Sequence, residues 1–366
     1  MTAAPAARFG VVGSGWRTRF FLRLARMAPE HLVVTGVVTR TAERGAQVTG
    51  EWGTPTFRTV ADLLAAGRPE FVVASVPWAV TPETTREAVG LGLPVLAETP
   101  PAPTAEGLRQ LWDAVGASGQ VQVAEQYLLM PGHAARLRLV REGVIGEPTS
   151  VQVSSTHLYH ATSMIRHLLG VGFGVGFGPV TVTAQTFHAP LVNPLTPDGW
   201  TAAEEPEELA TTLATLDFGD GRCGLYDFTD NQWWNPLRAR RIVVRGSHGE
   251  IVDDSVVRLA DPRTAVESRL LRRQLGIDLN LEGVDLAHIS FDGRVLYRNP
   301  FPGARFSDDD LAVATLLRDT AAWVRGAGPQ PYPLAEGCQD HLLGLAIEEA
   351  ARTGAPVTTQ RERWAP

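Results

Sequence analysis

The chain has 366 residues, 44% of them hydrophobic, with a formal net charge of −7 and two cysteines. That length suffices for two ordinary cores, since single domains run to roughly 100–200 residues. The arginines are interspersed with acids, which excludes the electrostatic footprint of a nucleic-acid or anionic-lipid binder and points to a small-molecule partner.

Cys223 and Cys338 have neither zinc-site nor disulfide-framework spacing. The first residues lack a signal-peptide core, and no apolar run approaches the roughly 20 residues that span a bilayer. The expectation is a cytoplasmic protein without a metal or membrane partner.

Apolar periodicity then sets out an alternation of strands and helices. A strand at 8–13 leads through a glycine turn to a helix at 16–28. Strand 32–38, helix 42–50, a short strand at 55–57, helix 59–66, strand 71–76, helix 82–91, strand 94–97, helix 104–117 and strand 120–124 follow. Such alternation means right-handed βαβ units and a parallel sheet covered on both faces.

After about residue 125 the pattern changes. A helix at 131–142 is followed by strands at 149–157, 179–187, 208–218, 222–229, 240–245 and 249–253, with hairpin turns at 218–222 and 245–249. Helices at 160–169, 308–325 and 336–353 are expected to cover one face of this sheet, and the glycine-dense stretch 170–179 reads as a loop. The fold class is α/β followed by α+β. A Rossmann domain over 1–125 precedes a substrate domain over 126–366, built on a large, mostly antiparallel open sheet.

Gly13-Ser14-Gly15-Trp16-Arg17 lies between a strand and a helix, the context that a dinucleotide fingerprint requires. Gly13 makes the tight turn, and Gly15 lets a pyrophosphate approach the amides at the positive end of the helix. The second strand ends Val38-Thr39-Arg40-Thr41, with Arg44 one helical turn on. An NAD site would place an acid there for the ribose 2′-hydroxyl. Arg40 instead suits a 2′-phosphate, with Thr39 as a hydroxyl donor, so the expected cofactor is NADP(H) ahead of NAD(H).

Further segments carry a resemblance. Strand four ends Ala74-Ser-Val-Pro77-Trp78, strand five Val95-Leu-Ala-Glu98-Thr99-Pro100, strand six runs Val121 to Tyr127, and the stretch from Tyr332 to Val357 reads as a closing helix. In this order they resemble the Gfo/Idh/MocA oxidoreductases, the glucose-fructose oxidoreductase and inositol dehydrogenase family. The resemblance implies that Pro77 and Glu98 join Gly13, Ser14, Gly15, Trp16, Arg17, Thr39 and Arg40 around the cofactor, and that Pro100 follows a cis peptide. It also implies a homodimer or homotetramer formed through the C-terminal sheet.

The family's lysine after Glu98 is replaced by Thr99, a hydroxyl that cannot supply an ammonium. Its second motif, Asp and His four residues apart with a further Asp, aligns with Thr156, His160 and Ser163, so only the histidine is retained. His160 is therefore the candidate general acid or base, with Tyr127 and Thr99 as further catalytic candidates. His157 and Tyr159 read as alternating on a strand leading to His160, one facing the substrate and the other packing.

Trp233 and Trp234, among amides, suit either sugar recognition or an interface edge. The functional expectation is an NADP(H)-dependent oxidoreductase acting on a sugar-like alcohol or ketone, or on an imine. Two alternatives stand beside it: a non-catalytic dinucleotide-binding regulator, and a lyase or glycosidase that recycles bound NAD.

Overall fold

The computed structural model describes residues 5–196, 198–276 and 283–366. It divides into two units, the first comprising residues up to 131 together with 274–287 and 298–338, the second 132–273, 288–297 and 339–366. Residues 298–338 thus group with the first unit rather than with the segment that follows residue 126.

The first unit holds six parallel strands, β1 (Ala7–Val12), β2 (Leu32–Val38), β3 (Thr56–Phe57), β4 (Phe71–Ala74), β5 (Val95–Ala97) and β6 (Val121–Val123), in the order β3-β2-β1-β4-β5-β6. The order reverses between β1 and β4, and such a switch point opens a crevice at the carboxyl ends of the strands. Residues of β1 and β4 are almost wholly buried, as a sheet covered on both faces requires. Phe9 stacks on Phe71 at 5.6 Å between centroids, and Phe21 meets Phe9 edge-on at 6.5 Å, tying α1 (Trp16–Met27) to the sheet.

The other helices of the unit begin where sequence chemistry allows. Thr41 caps α2 (Ala42–Trp52), Thr59 the single turn α3 (Val60–Asp62) and Thr104 α5 (Ala105–Val115), each accepting a backbone N–H in the first turn. Between them α4 (Thr81–Gly90) starts with a proline in its first turn. In contrast α1 has Gly15 at its N-cap, no side-chain cap and no acid in its first turn.

The sequence pattern puts the helix at 308–325 over the antiparallel sheet. It packs instead against β1 and β2 of the first unit, where Arg23 of α1 holds Asp310 with a contact of 3.2 Å. Amphipathicity marks a buried face without naming the sheet that buries it, and this helix is buried over most of its length.

The second unit begins with α6 (Pro131–Arg141, whose first residue belongs to the first unit). Its nine-stranded sheet contains β7 (Pro148–Ser154), β8 (Thr181–Leu191), β11 (Glu207–Asp217), β12 (Cys223–Thr229), β13 (Arg241–Gly246), β14 (Gly249–Val252), β15 (Ser255–Asp261), β16 (Thr264–Arg269) and β20 (Val357–Thr358). Between β8 and β11 lies a small hairpin, β9 (Leu195–Thr196) with β10 (Gly199–Trp200). The chain order is completed by the three-stranded set β17 (Leu271–Leu275), β18 (Asp285–Phe291) and β19 (Arg294–Arg298), and by α8 (Asp308–Val324) and α9 (Leu334–Thr353).

Both expected hairpin turns form, between β11 and β12 and between β13 and β14. The glycine-dense stretch 170–179 is a loop. The sheet runs in the order β16-β15-β14-β13-β7-β12-β11-β8-β20, and β7 pairs parallel with β12, so a single parallel pair lies inside an otherwise antiparallel arrangement. Strands β15 and β16 escaped the sequence reading because charged and exposed residues dilute their alternation.

Helix α7 (Leu158–Leu168) lies on β7 and β12, where a Cβ on Gly224 would stand 2.5 Å from Ile165. Against α7 runs the second-unit part of α9, joined to it by a buried Arg166–Asp340 ion pair at 2.5 Å and by Thr162 donating to the Asp340 carbonyl at 2.8 Å.

Candidate functional site

Two groups of residues carry chemistry, one in each unit. In the first, Gly13 has φ +116°, and a Cβ there would stand 2.0 Å from the Ser75 carbonyl oxygen, so only glycine closes this turn. A Cβ on Gly15 would meet nothing within 4 Å. Open space over Gly15 and the uncapped amides of α1 fit the pyrophosphate of a dinucleotide. Trp16 and Pro77 are exposed beside this turn, Trp16 at 75%.

At the end of β2 the cations are arranged differently from the expectation. Arg40 is exposed and offers its carbonyl oxygen to Arg58. Arg44 reaches the turn itself, its Nη2 donating to the Ser14 carbonyl at 2.6 Å and its Nε to Ser14 Oγ at 3.3 Å. Arg58 Nη1 donates to Thr39 Oγ1 at 2.9 Å.

The guanidinium groups of Arg44 and Arg58 thus lie at the edge where β2 ends, next to the backbone of Arg40. Arg58 was missed because its place depends on register: β3 pairs parallel with β2, Val38 opposite Phe57, which sets the following residues Thr39 and Arg58 side by side. No local pattern marks it. The carboxylate of Glu43, nearby in α2, is held below its usual range by a backbone amide and Thr41, with Arg58 adding.

At the other half of the same edge, Arg17 turns toward Glu98 beyond β5, its Nε donating at 3.0 Å, and stands 3.8 Å from Asp309 of α8. Burial alone would lower the Arg17 pKa, but the carboxylates of Glu98 and Asp309 outweigh it and raise the value. The Thr99-Pro100 peptide is cis, and Thr99 is half-buried.

Tyr127 begins a short 3₁₀ turn after β6, and its backbone N–H donates to Glu125 at 3.0 Å. Burial, reinforced by the charges of Glu98 and Asp309 and opposed by the Tyr127 amide and Arg17, pushes the Glu125 carboxyl up to about 8. An acid two residues past the buried strand Val121–Val123 is the signal in the sequence for Glu125.

The second group is built on α7. His157 and Tyr159 do not alternate on a strand: β7 stops at Ser154, His157 is the N-cap of α7, and its carbonyl accepts the N–H of His160 and Ala161. The first helical turn brings the three rings together instead of alternating them, with His157 and Tyr159 at 4.9 Å, His157 and His160 at 5.2 Å, and Tyr159 and His160 at 4.5 Å between centroids.

Trp233 joins them, 4.7 Å from both His157 and Phe228, and its Nε1 donates to Thr156 Oγ1 at 3.4 Å. Trp234 lies farther out and is 39% exposed. Gln232 holds the Trp233 loop to β7 by donating to the Ser154 carbonyl at 2.9 Å. Burial and the neighbouring His160 lower His157 to about 3, so His157 is neutral at physiological pH, and its Nδ1 is buried without a hydrogen-bond partner. His160 itself is buried at 7% exposure.

Among the described residues no helix is long and apolar enough to cross a membrane, and no group of three His, Cys, Asp or Glu is placed to hold a metal ion. A cavity of about 650 Å³ in the second unit includes Arg258, Asp292 and Arg294 in its lining but shares no residue with either group. Its arginines are already paired, Arg258 with Asp292 at 3.0 Å and Arg294 with Glu142 at 3.1 Å.

Residues 7–126 match the model of the Gfo/Idh/MocA family, described as an oxidoreductase family with an NAD-binding Rossmann fold. No curated protein matches the chain. Among solved structures it is similar to an oxidoreductase from Agrobacterium radiobacter in complex with NAD+, L-tartaric acid and magnesium, at 15% identity and a TM-score of 0.68 over 96% of this chain and 98% of that one. It is similar to a levoglucosan dehydrogenase in complex with NADH and levoglucosan, at 18% identity and a TM-score of 0.67 over 96% and 99%. A myo-inositol dehydrogenase from Corynebacterium glutamicum matches at 17% identity and a TM-score of 0.64 over 97% and 99%. At such identities the likeness establishes the fold, and it does so over nearly the whole chain.

Proposed function

We propose that the chain, whose residues 7–126 match the Gfo/Idh/MocA oxidoreductase family with its NAD-binding Rossmann fold, uses NADP(H) to oxidise or reduce a polyhydroxylated, sugar-like substrate. The observation that carries the cofactor preference is the placing of the Arg44 and Arg58 guanidinium groups, with Arg40 exposed beside them in the chain, where an NAD site would place an acid. Guanidinium groups donate in the planar geometry that phosphate oxygens accept. Gly13, Ser14 and Gly15 hold the pyrophosphate at the start of α1, while Thr39 positions Arg58. When bound, the cofactor supplies or accepts the hydride.

The substrate side of the reading rests on the ring cluster of α7 and Trp233. Aromatic planes beside hydroxyl and imidazole groups suit a molecule with apolar ring faces and polar edges. Levoglucosan, tartaric acid and inositol in the names of the fold neighbours support the same class. His160 is the residue to move the substrate proton, with Tyr127 and Thr99 as hydroxyl donors on the cofactor side.

A cytoplasmic homo-oligomer is proposed through the open face of the nine-stranded sheet. Phe187 and Leu213 are exposed there, at 47% and 43%, on the same face as the threonine pairs Thr183–Thr215 and Thr211–Thr229. The loss of the lysine at Thr99 favours a second reading, a regulator that binds the dinucleotide without turning over.

Fluorescence titration with NADPH and NADH tests the cofactor assignment. Arg44→Ala or Arg58→Ala should weaken NADPH binding by about 10- to 100-fold, the worth of a lost charge-assisted contact, and change NADH binding little. Equal losses for the two cofactors would refute the 2′-phosphate assignment. Oxidation of polyols or aldoses that disappears in His160→Ala supports the enzyme, and tight binding with no turnover supports the regulator.

A further inference from the structure

The cavity of about 650 Å³ in the second unit falls within the size range of metabolite pockets and lies apart from both the glycine turn and the ring cluster. Turns form its walls. At the end of α6 the N–H groups of Gly143 and Val144 donate back to the carbonyls of Val140 and Leu139, so both carbonyls are already engaged. In the β13–β14 turn His248 stands on Gly146, where a Cβ would come within 2.6 Å of its Nδ1. Ser247 Oγ meets the same nitrogen at 2.7 Å, which leaves Nε2 as the ring's remaining polar atom.

Arg258 and Leu259 of β15 run beside this turn, the Leu259 N–H donating to the His248 carbonyl at 2.8 Å. The β18–β19 turn completes the cavity. Asp292 and Gly293 both have positive φ there, 46° and 74°, as a tight two-residue hairpin requires, and Asp292 and Arg294 line the space.

Arg258 bonds Asp292 at 3.0 Å and Arg294 bonds Glu142 at 3.1 Å, both through Nη2, while Arg138 holds the other Glu142 oxygen at 2.8 Å. Ser268, Arg258 and Arg294 keep the Asp292 carboxyl below its ordinary range, so both arginines act on that one carboxylate. In this network three guanidinium groups meet two carboxylates, which leaves one positive charge over. Pairing does not exhaust the arginines: each guanidinium has five N–H groups, and the side chains of Arg258 and Arg294 remain 31% and 55% exposed. The carboxylates instead hold the guanidinium groups in place, removing side-chain entropy that binding would otherwise have to overcome.

An unmatched positive charge selects an anion, and the placing of the donors selects its shape. A carboxylate presents two coplanar oxygens, which a single guanidinium satisfies. A phosphate presents three oxygens about a tetrahedral centre, which suits donors on β15, on β19 and in the His248 turn, and near neutral pH it is largely dianionic. Val144 and Leu259 give the same cavity apolar surface.

We propose that this cavity is a binding site for a phosphate monoester, its phosphate held by Arg258 and Arg294 and its carbon skeleton lying on Val144 and Leu259. The site belongs to the second unit alone and does not depend on the dinucleotide reading.

Calorimetric titration of the full chain with glucose 6-phosphate at low salt is the test, with inorganic phosphate titrated separately. One saturable site per chain is expected, weakened by added sodium chloride. The ester should bind at least about tenfold more tightly than inorganic phosphate, the worth of about two buried CH₂ groups. Arg258→Gln or Arg294→Gln should weaken it by about 10- to 100-fold, the loss of a charge-assisted contact, while Arg44→Ala leaves it unchanged. Leu259→Glu, at a position 46% exposed, adds a negative charge to the wall without touching either ion pair, and should weaken binding as well.

Absence of saturable binding would overturn the proposal. So would binding that survives all three cavity substitutions, or that disappears in Arg44→Ala and thereby belongs to the glycine turn. Inorganic phosphate binding as tightly as the ester, and lost in the same variants, would overturn the assignment to a monoester.

Discussion

Replacing Glu125 by glutamine tests the electrostatics of the buried carboxyl without any cofactor. Glutamine keeps the shape and the carbonyl that accepts the Tyr127 N–H, but it cannot ionise. In the unfolded chain Glu125 loses its proton near the ordinary glutamate value of 4.5, and in the folded protein only near 8. Below pH 4.5 both states hold the proton, and the carboxyl costs nothing relative to glutamine. Between the two values the unfolded state loses the proton and the folded state keeps it, so folding stability falls by about 1.4 kcal/mol per pH unit.

At pH 7 the accumulated cost is about 3 kcal/mol, a large share of a stability that is typically about 5–15 kcal/mol. Glu125→Gln should therefore match the parent near pH 4.5 and exceed it by about 3 kcal/mol at pH 7, the gap growing toward pH 8. Urea unfolding at pH 5, 6, 7 and 8 measures it, and the common histidine contributions cancel in the difference. A gap that stays constant across this range would refute the raised carboxyl.

Acid should destabilise the second unit through three neutral histidines. His133, His157 and His167 are each lowered to about 3, mainly by burial, so the unfolded state binds more protons as pH falls below 6.5 and stability falls with it. Between pH 6 and pH 5 the three should together cost about 3–4 kcal/mol, read from the urea midpoint, and His167→Gln should remove about a third of that dependence. Asp340→Asn leaves the fully buried Arg166 charge facing a neutral amide and should cost about 3–5 kcal/mol by the same measurement. A loss under about 1 kcal/mol would mean that other neighbours already balance the arginine.

Much of the Rossmann unit was legible because its signals are local. Glycines at 13 and 15, strands buried on both faces, and Thr41, Thr59 and Thr104 at helix starts each act within a few residues, and their order in the chain is the order of the fold. The ring cluster was legible only as composition. His157, Tyr159, His160 and Trp233 could be singled out, yet where β7 ends and α7 begins depends on the close packing of α7 over Gly224 and of α9 at Gly344, where a Cβ would stand 3.3 Å from the Tyr159 nitrogen.

Composition and periodicity by themselves determined that this chain holds a dinucleotide fold followed by a sheet-rich second half. Charge placement was decided by tertiary structure, because ion pairs form between residues far apart in sequence. Arg17 meets Glu98, 81 residues on, and Asp309 contributes from a helix that sequence periodicity had placed on the other sheet. Likewise the β2–β3 register sets Arg58 beside Thr39. A sequence states which charges exist, but their energies depend on separation and on exclusion of water, and those distances exist only once the strands are paired and the helices packed.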